Sequence, residues 1–272
     1  MSRIEWPAIV ERAADIVRSY STGVTLRQLF YRLVSAQLIP NNQAAYKRLS
    51  SLTAEARREG TFPDLIDRGR SIHRRASWDS PQDAMEALIR QYRLDRTTGQ
   101  DVSLYIGVEK AGMVIQLQSW FGDLGIPVLA LGGYSSQTYV DDVIDDATRQ
   151  DRDAILLYAG DFDPSGEDID RDFEERTGCW DKVIRVALSA AQVREYGLPP
   201  NPGKATDSRA AGFIARHGEL VQVELDALDP DDLRALFQTA VSAHWDTSAY
   251  EAVLGRERDG LQRLRAAAGG AA

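Results

Sequence analysis

The 272-residue chain has one cysteine, Cys179, and three histidines, His73, His217 and His244, with no ligand spacing between them. A single thiol excludes a disulfide framework and a zinc site built from cysteines. No apolar run approaches the roughly 20 residues that span a bilayer, and Met1-Ser2-Arg3-Ile4-Glu5 lacks the basic-then-apolar pattern of a secretion signal. There is no glycine-rich phosphate loop and no recognisable ATPase module. Together these absences set the expectation of a cytoplasmic protein with no membrane partner.

What is present is an ordinary globular composition, 43% apolar and 27% charged, with length enough for one large or two small domains. The net charge is −9, but it is unevenly distributed. Residues 1–100 carry 16 Lys/Arg against 11 Asp/Glu, net +5, while the rest carry 16 against 30, net −14. A basic head on an acidic body suits a DNA-reading unit joined to a carboxylate-rich, metal-binding one. A chance asymmetry would look the same.

The acidic body is organised around residues 154–169. Ala154-Ile155-Leu156-Leu157-Tyr158 is a continuous apolar run that predicts a strand buried on both faces. It ends in Asp161 and Asp163, and Pro164 and Gly166 then turn the chain into an acidic, helix-compatible segment. Ligands of parallel α/β sheets bind outside the carboxyl ends of the strands. Two hard oxygen donors at i and i+2 there suit Mg²⁺. The plainer alternative is a strand-end turn in which Asp caps the next helix.

The same logic appears upstream. The apolar run 102–108 ends in Glu109 and turns into a helix over 113–121. A further strand is expected over 126–131, ending in Gly132-Gly133, a helix over 136–149 and a fourth strand over 182–188. This alternation predicts βαβ units and a mostly parallel sheet flanked by helices. Glu109, Asp161 and Asp163 would then share one edge of it and converge on one or two divalent ions.

A Glu after the first strand and Asp-x-Asp after the third resembles the Toprim domain of topoisomerases, primases and some nucleases. Asp161-Phe162-Asp163-Pro164-x-Gly166-x-x-Ile169 is most similar to the version in the A subunit of topoisomerase VI and its meiotic double-strand-break relatives. The resemblance covers about 102–188. It implies that Glu109 acts as acid/base or metal ligand and that Asp161 and Asp163 hold Mg²⁺, with Mn²⁺ as a substitute.

Residues 1–78 read as three helices, over 6–20, 26–37 and 43–58, the second started by Thr25 as N-cap and the third closed by Gly60. The third is basic on its exposed side, at Lys47, Arg48, Arg57 and Arg58. Residues 65–72 predict a short basic hairpin carrying Arg68 and Arg70. Three helices and a hairpin match a winged helix-turn-helix of the CAP-like kind, with the third helix in the major groove and the wing on phosphate. A structural three-helix subdomain is the alternative. Lys110, beside Glu109, is a further candidate for contact with DNA.

On the second helix Leu26, Leu29, Phe30, Leu33 and Val34 share one face at about 100° per residue. Tyr31 falls off that face beside Arg27, so Phe30 reads as core and Tyr31 as surface. A cation favours the phenolate, which can attack phosphorus. A half-buried tyrosine with a wet hydroxyl is the commoner reading. Arg27-Gln28-Leu29-Phe30-Tyr31 also resembles the Arg-x-x-aromatic-Tyr of the same topoisomerase VI family, which lies in a winged-helix domain before Toprim. That resemblance implies Tyr31 as the nucleophile, joined to the 5′ end of cut DNA, with Mg²⁺ supplied by the other subunit of a homodimer.

The remaining chain divides into a linker over 79–101, with a helix over 81–92, and a C-terminal α+β extension over 189–272. The extension begins with a helix near 188–193 and an irregular segment over 198–204. A strand over 221–225 and helices over 230–243 and 250–265 follow. Lys204, Asp207 and Arg209 are available for phosphate or for ion pairs with one another. The expectation is therefore a DNA-cleaving, nucleoid-associated protein acting on duplex DNA, with a separate B-type ATPase subunit as a possible partner. A Toprim nuclease using water, or a DNA-binding subunit active only in a complex, would share much of this sequence.

Overall fold

The strands form where apolar residues run without a break. In the computed structural model, which describes residues 4–20, 23–66, 75–133, 135–202 and 207–269, β1 (Val102–Val108) and β3 (Asp153–Ala159) are buried along six of their seven residues. They pair in parallel from Val102↔Asp153 to Val108↔Ala159. β2 (Val128–Ala130) and β4 (Lys182–Ala187) flank them in the order β2-β1-β3-β4, all parallel. The protein is thus α/β, with a four-stranded parallel sheet flanked by helices.

Alternate side chains of β1 and β3 enter two separate cores, as the period of two requires. Tyr105, Ala154, Leu156 and Tyr158 pack on α6 (Gln137–Ala147) and α7 (Gly166–Thr177) through Val140, Val143, Ile169 and Phe173. Leu104, Ile106, Val108, Ile155 and Leu157 face α5 (Val114–Phe121) and α10 (Pro230–Ser242), where Leu117, Phe121, Leu233 and Phe237 meet them. The second core continues without interruption into the amino-terminal helices α1 (Trp6–Ser19), α2 (Leu26–Ser35) and α3 (Gln43–Arg58), through Ala13, Leu29, Phe30 and Leu49.

Thr25 starts α2 as expected, in a capping box with Gln28, and Asn42 caps α3 by accepting the Ala45 N–H. The expected linker contains α4 (Pro81–Gln91), which packs on the carboxyl-terminal helix α11 (Thr247–Gly269). α8 (Ala190–Glu195) and α9 (Ala210–His217) complete the α-helices of the described residues.

Several boundaries differ from the sequence expectation. β2 spans three residues rather than six, because it is an edge strand whose flanks reach β1 only through isolated bonds, Ile106 N–H to Pro127 O and Leu131 N–H to Val108 O. The expected strand over 221–225 is two residues, β6 (Val221–Gln222), antiparallel to β5 (Asn201–Pro202). The basic hairpin falls mostly on residues 67–74, including Arg68 and Arg70, which lie outside the described residues. Leu65 and Ile66 are not in a strand, and the Ile66 N–H donates to Val24 O at 2.9 Å. Among the described residues no helix is long and apolar enough to cross a membrane.

Candidate functional site

Parallel pairing of β1 with β3 sets the residues that follow each strand side by side. The Glu109 N–H donates to Ala159 O at 3.1 Å. The Glu109 carboxylate Oε2 in turn accepts the Asp161 N–H at 2.9 Å. Two glycines allow this crowding. A Cβ on Gly132 would lie 2.3 Å from the Glu109 carbonyl oxygen, and one on Gly166 would lie 2.2 Å from that of Asp161. Only a residue without a side chain lets backbone approach so closely.

Asp161 is 8% exposed. Its Oδ1 accepts the Leu225 N–H at 2.8 Å and lies 3.0 Å from Lys110 Nζ, while its backbone carbonyl accepts from Arg185 Nη2 at 2.7 Å. Asp163 points its Oδ1 at the Gly166 N–H, 2.7 Å away at the start of α7. It takes up one free N–H of the first turn of α7, although the N-cap position itself is Ser165, which makes no side-chain cap bond. The other Asp163 oxygen lies 3.4 Å from Gln222 Nε2. Both aspartates therefore face residues 221–226. Phe162 and Val223 exchange backbone hydrogen bonds of 2.8 and 3.0 Å between them. The strand expected over 221–225 ends early because Val223 and Leu225 bond to this turn instead.

Lys110 is the hub. Its ammonium lies within 3.2 Å of Asp161 Oδ1, Glu224 Oε2 and Asp226 Oδ2. Glu224 also pairs with Arg27 of α2, and Arg27 Nε lies 3.6 Å from Asp226 Oδ2. One ion-pair network thus runs from the helix bearing Tyr31 to the turn bearing Asp161. Burial works against the charge on Lys110, but Asp161, Asp226 and Glu224 outweigh it and hold the ammonium above its ordinary range. Glu224 is buried too, and Lys110 and Arg27 keep it below the usual carboxylate range. Glu109 goes the other way. Burial first, and then the neighbouring Asp161 charge, push it up to about 7. Burial also raises Asp161, against the pull of Lys110.

The donors here, the carboxylates of Glu109, Asp161 and Asp163, are hard oxygens. The donor chemistry fits Mg²⁺. The geometry differs from the expected convergence. Glu109 and Asp161 meet, but Asp163 is turned to α7. Among the described residues no three His, Cys, Asp or Glu side chains surround a common metal position. Lys110, expected to contact DNA, instead sits among the carboxylates.

Tyr31 lies beside Arg27, close enough for its charge to act on the guanidinium. Its expected exposure is not found. Tyr31 is 6% exposed and Phe30 4%, and both belong to one core. A helix packed on one side would leave position 31 in water, but α2 is enclosed by α1, α3 and residues 225–227, so most of its circumference is covered. Tyr31 is one of the residues lining a cavity of about 440 Å³. Lys47, Arg48 and Arg58 are exposed on α3, and Arg57 is half-buried, with Nε donating to Thr53 O at 3.2 Å. Arg209 pairs with Asp207 at 2.9 Å, the ion-pair alternative, whereas Lys204 lies outside the described residues.

Glu224 and Asp226 are the site residues that sequence reasoning missed. The signal was there: the expected strand over 221–225 runs into Glu224-x-Asp226, an acidic pair with the spacing of Asp161-x-Asp163. No family model matches the chain, and no curated protein matches it.

Proposed function

We propose that this chain is a Mg²⁺-dependent DNA-cleaving enzyme of the topoisomerase VI A kind, working by tyrosine transesterification. The observation that carries the reading is the ion-pair network from Arg27, beside Tyr31, through Glu224 and Lys110 to Asp161. It ties the nucleophile and the carboxylates into one electrostatic unit. The Tyr31 phenol oxygen gives up its proton to water and attacks the phosphorus of a DNA strand. The bond from phosphorus to the 3′ oxygen breaks, and the 5′ phosphate stays on the tyrosine. Arg27 favours the phenolate and neutralises charge gathering on the phosphate. Glu109, poised near neutrality, holds the proton that the departing 3′ oxygen takes up. With Glu109 as the acid, Asp161 and Asp163 would hold Mg²⁺, whose charge would stabilise the phosphate and the leaving oxygen. The carboxylates of this network lie in the same chain as Tyr31, unlike the supply of Mg²⁺ across a dimer that the resemblance implies, and a homodimer would give one such site for each strand.

The burial of Tyr31 favours one alternative, a Toprim-like nuclease in which water attacks and Tyr31 is structural. The two separate in one experiment. Purified protein is incubated with end-labelled duplex DNA and Mg²⁺ or Mn²⁺, then denatured. Label travelling with wild-type protein and not with Tyr31→Phe supports transesterification. Protein-free cuts from both support the nuclease, and Asp161→Ala abolishes cutting in either case.

A further inference from the structure

The cavity over Tyr31 has a lining that metal-assisted phosphoryl transfer does not itself require. Its wall is aromatic: Phe30 meets Tyr31 with ring centroids 5.4 Å apart and Tyr46 at 5.2 Å, both edge to face. Its rim is made of carboxamides, Asn41, Asn42 and Gln43, where the chain enters α3. Asn42 uses its oxygen to cap α3, and among the described residues its amide group makes no hydrogen bond. A second cavity of about 340 Å³ adjoins the first across Arg27 and Tyr46 and adds Arg57.

Aromatic faces stack on any base, and carboxamides both donate and accept, as base edges demand. A volume of about 440 Å³ lies within the range of small-ligand sites. It admits one nucleotide and excludes a duplex. Charge decides between this place and the larger cavity of about 670 Å³ beside α7 and α9. In the larger one the arginines are committed to carboxylates: Arg171 to Asp168, Arg185 to Asp170, Arg209 to Asp207 and Arg216 to Glu167. Arg57, and Lys47, Arg48 and Arg58 on the same helix, make no ion pair among the described residues. They remain available to phosphate.

We propose that the cleft between α2 and α3 seats a single unstacked nucleotide of the strand being cut, its base against the half-buried Tyr46 and its phosphates toward Arg57. The inference rests on the DNA-cleaving reading and adds how the strand is presented: one base leaves the stack so that its neighbouring phosphate can approach Tyr31. An enzyme that takes a base out of the stack binds more tightly where the base is already unpaired.

The test compares binding of paired duplex DNA with the same duplex carrying a one-nucleotide bulge, without divalent metal, by fluorescence anisotropy. Wild type and Tyr31→Phe are expected to prefer the bulge by about tenfold in Kd, the scale of one base stacking on an aromatic ring. Tyr46→Ala is expected to bring the two affinities together, and Tyr46→Phe to keep the preference. Gln43→Ala, at an exposed position of the rim, reduces it without touching the core and serves if Tyr46→Ala fails to fold. Equal affinities in wild type, or a preference that survives in Tyr46→Ala and Gln43→Ala, overturn the inference while cleavage through Tyr31 still stands. No binding to either duplex overturns the inference, and with no cleavage in the presence of Mg²⁺ it overturns the reading beneath it too.

Discussion

Lys110 Nζ lies 3.0 Å from Asp161 Oδ1, while the Asp161 backbone N–H donates to the Glu109 carboxylate. The ammonium balances three acids that are otherwise largely buried. Lys110→Met keeps the length of the side chain and removes the charge. It leaves Asp161 without its ion-pair partner and Asp226 with Arg27 alone, so unfolding free energy should fall by about 3 kcal/mol, the lower end for breaking a buried pair because Lys110 is a quarter exposed. Urea unfolding at neutral pH measures this. A loss under about 0.5 kcal/mol, typical of surface substitutions, would mean that the carboxylates need no ammonium.

Gly166 is the second point at which the site depends on one residue. A Cβ there meets backbone, the Asp161 carbonyl oxygen at 2.2 Å, and cannot be relieved by rotating a side chain. Gly166→Ala should therefore cost about 1–3 kcal/mol, as overpacking does, and displace Asp161 and Asp163 together. The expected result is a lowered Tm accompanied by lost DNA cleavage. Alanine at Gly212, whose Cβ would have only the Arg216 guanidinium nearby at 3.6 Å, should leave both unchanged.

These two sites show what could be read in advance. β1 and β3 were legible because strands buried on both faces must be apolar throughout, and the turn after β3 announced itself by Pro164 and Gly166. The partners of Lys110 were not, since Glu224 and Asp226 lie 114 and 116 residues away and come near only through the fold. The place of Tyr31 was misread for a related reason. A helical wheel assumes one buried side, and α2 is enclosed by three elements. The short β2 and β6 carry too few residues for periodicity to declare them, and their ends are decided by the neighbours they bond to.

Glu257 ties α11 to the segment after α4. It is buried, with Arg96 Nη2 2.7 Å from its Oε1 and the Leu94 N–H 3.2 Å from its Oε2. The hydrogen bonds from Arg96 hold it below the ordinary glutamate range. A carboxylate whose pKa is lower in the folded state stabilises fully above its unfolded pKa, and that stability drains away as pH falls through the folded value. Wild type should therefore lose more stability than Glu257→Gln between pH 7 and pH 4, and the two urea midpoints should draw together. Parallel midpoints across that range would show that the pair contributes no pH dependence.

The exposed side of α3 yields a prediction that depends on charge alone. Lys47 and Arg58 lie eleven residues apart, close to three full turns, so they share a face, and neither makes an ion pair among the described residues. If that face meets DNA phosphate, each cation releases one counterion on binding, and the slope of log Kobs against log salt should fall by about 0.9 for each one removed. Lys47→Ala with Arg58→Ala should weaken binding to every duplex tested and reduce the slope by about 2. Stability should not change, because both side chains project into water. An unaltered slope would place the DNA on another face, and Arg27 and Arg57 in the adjoining cleft would be the next pair to remove.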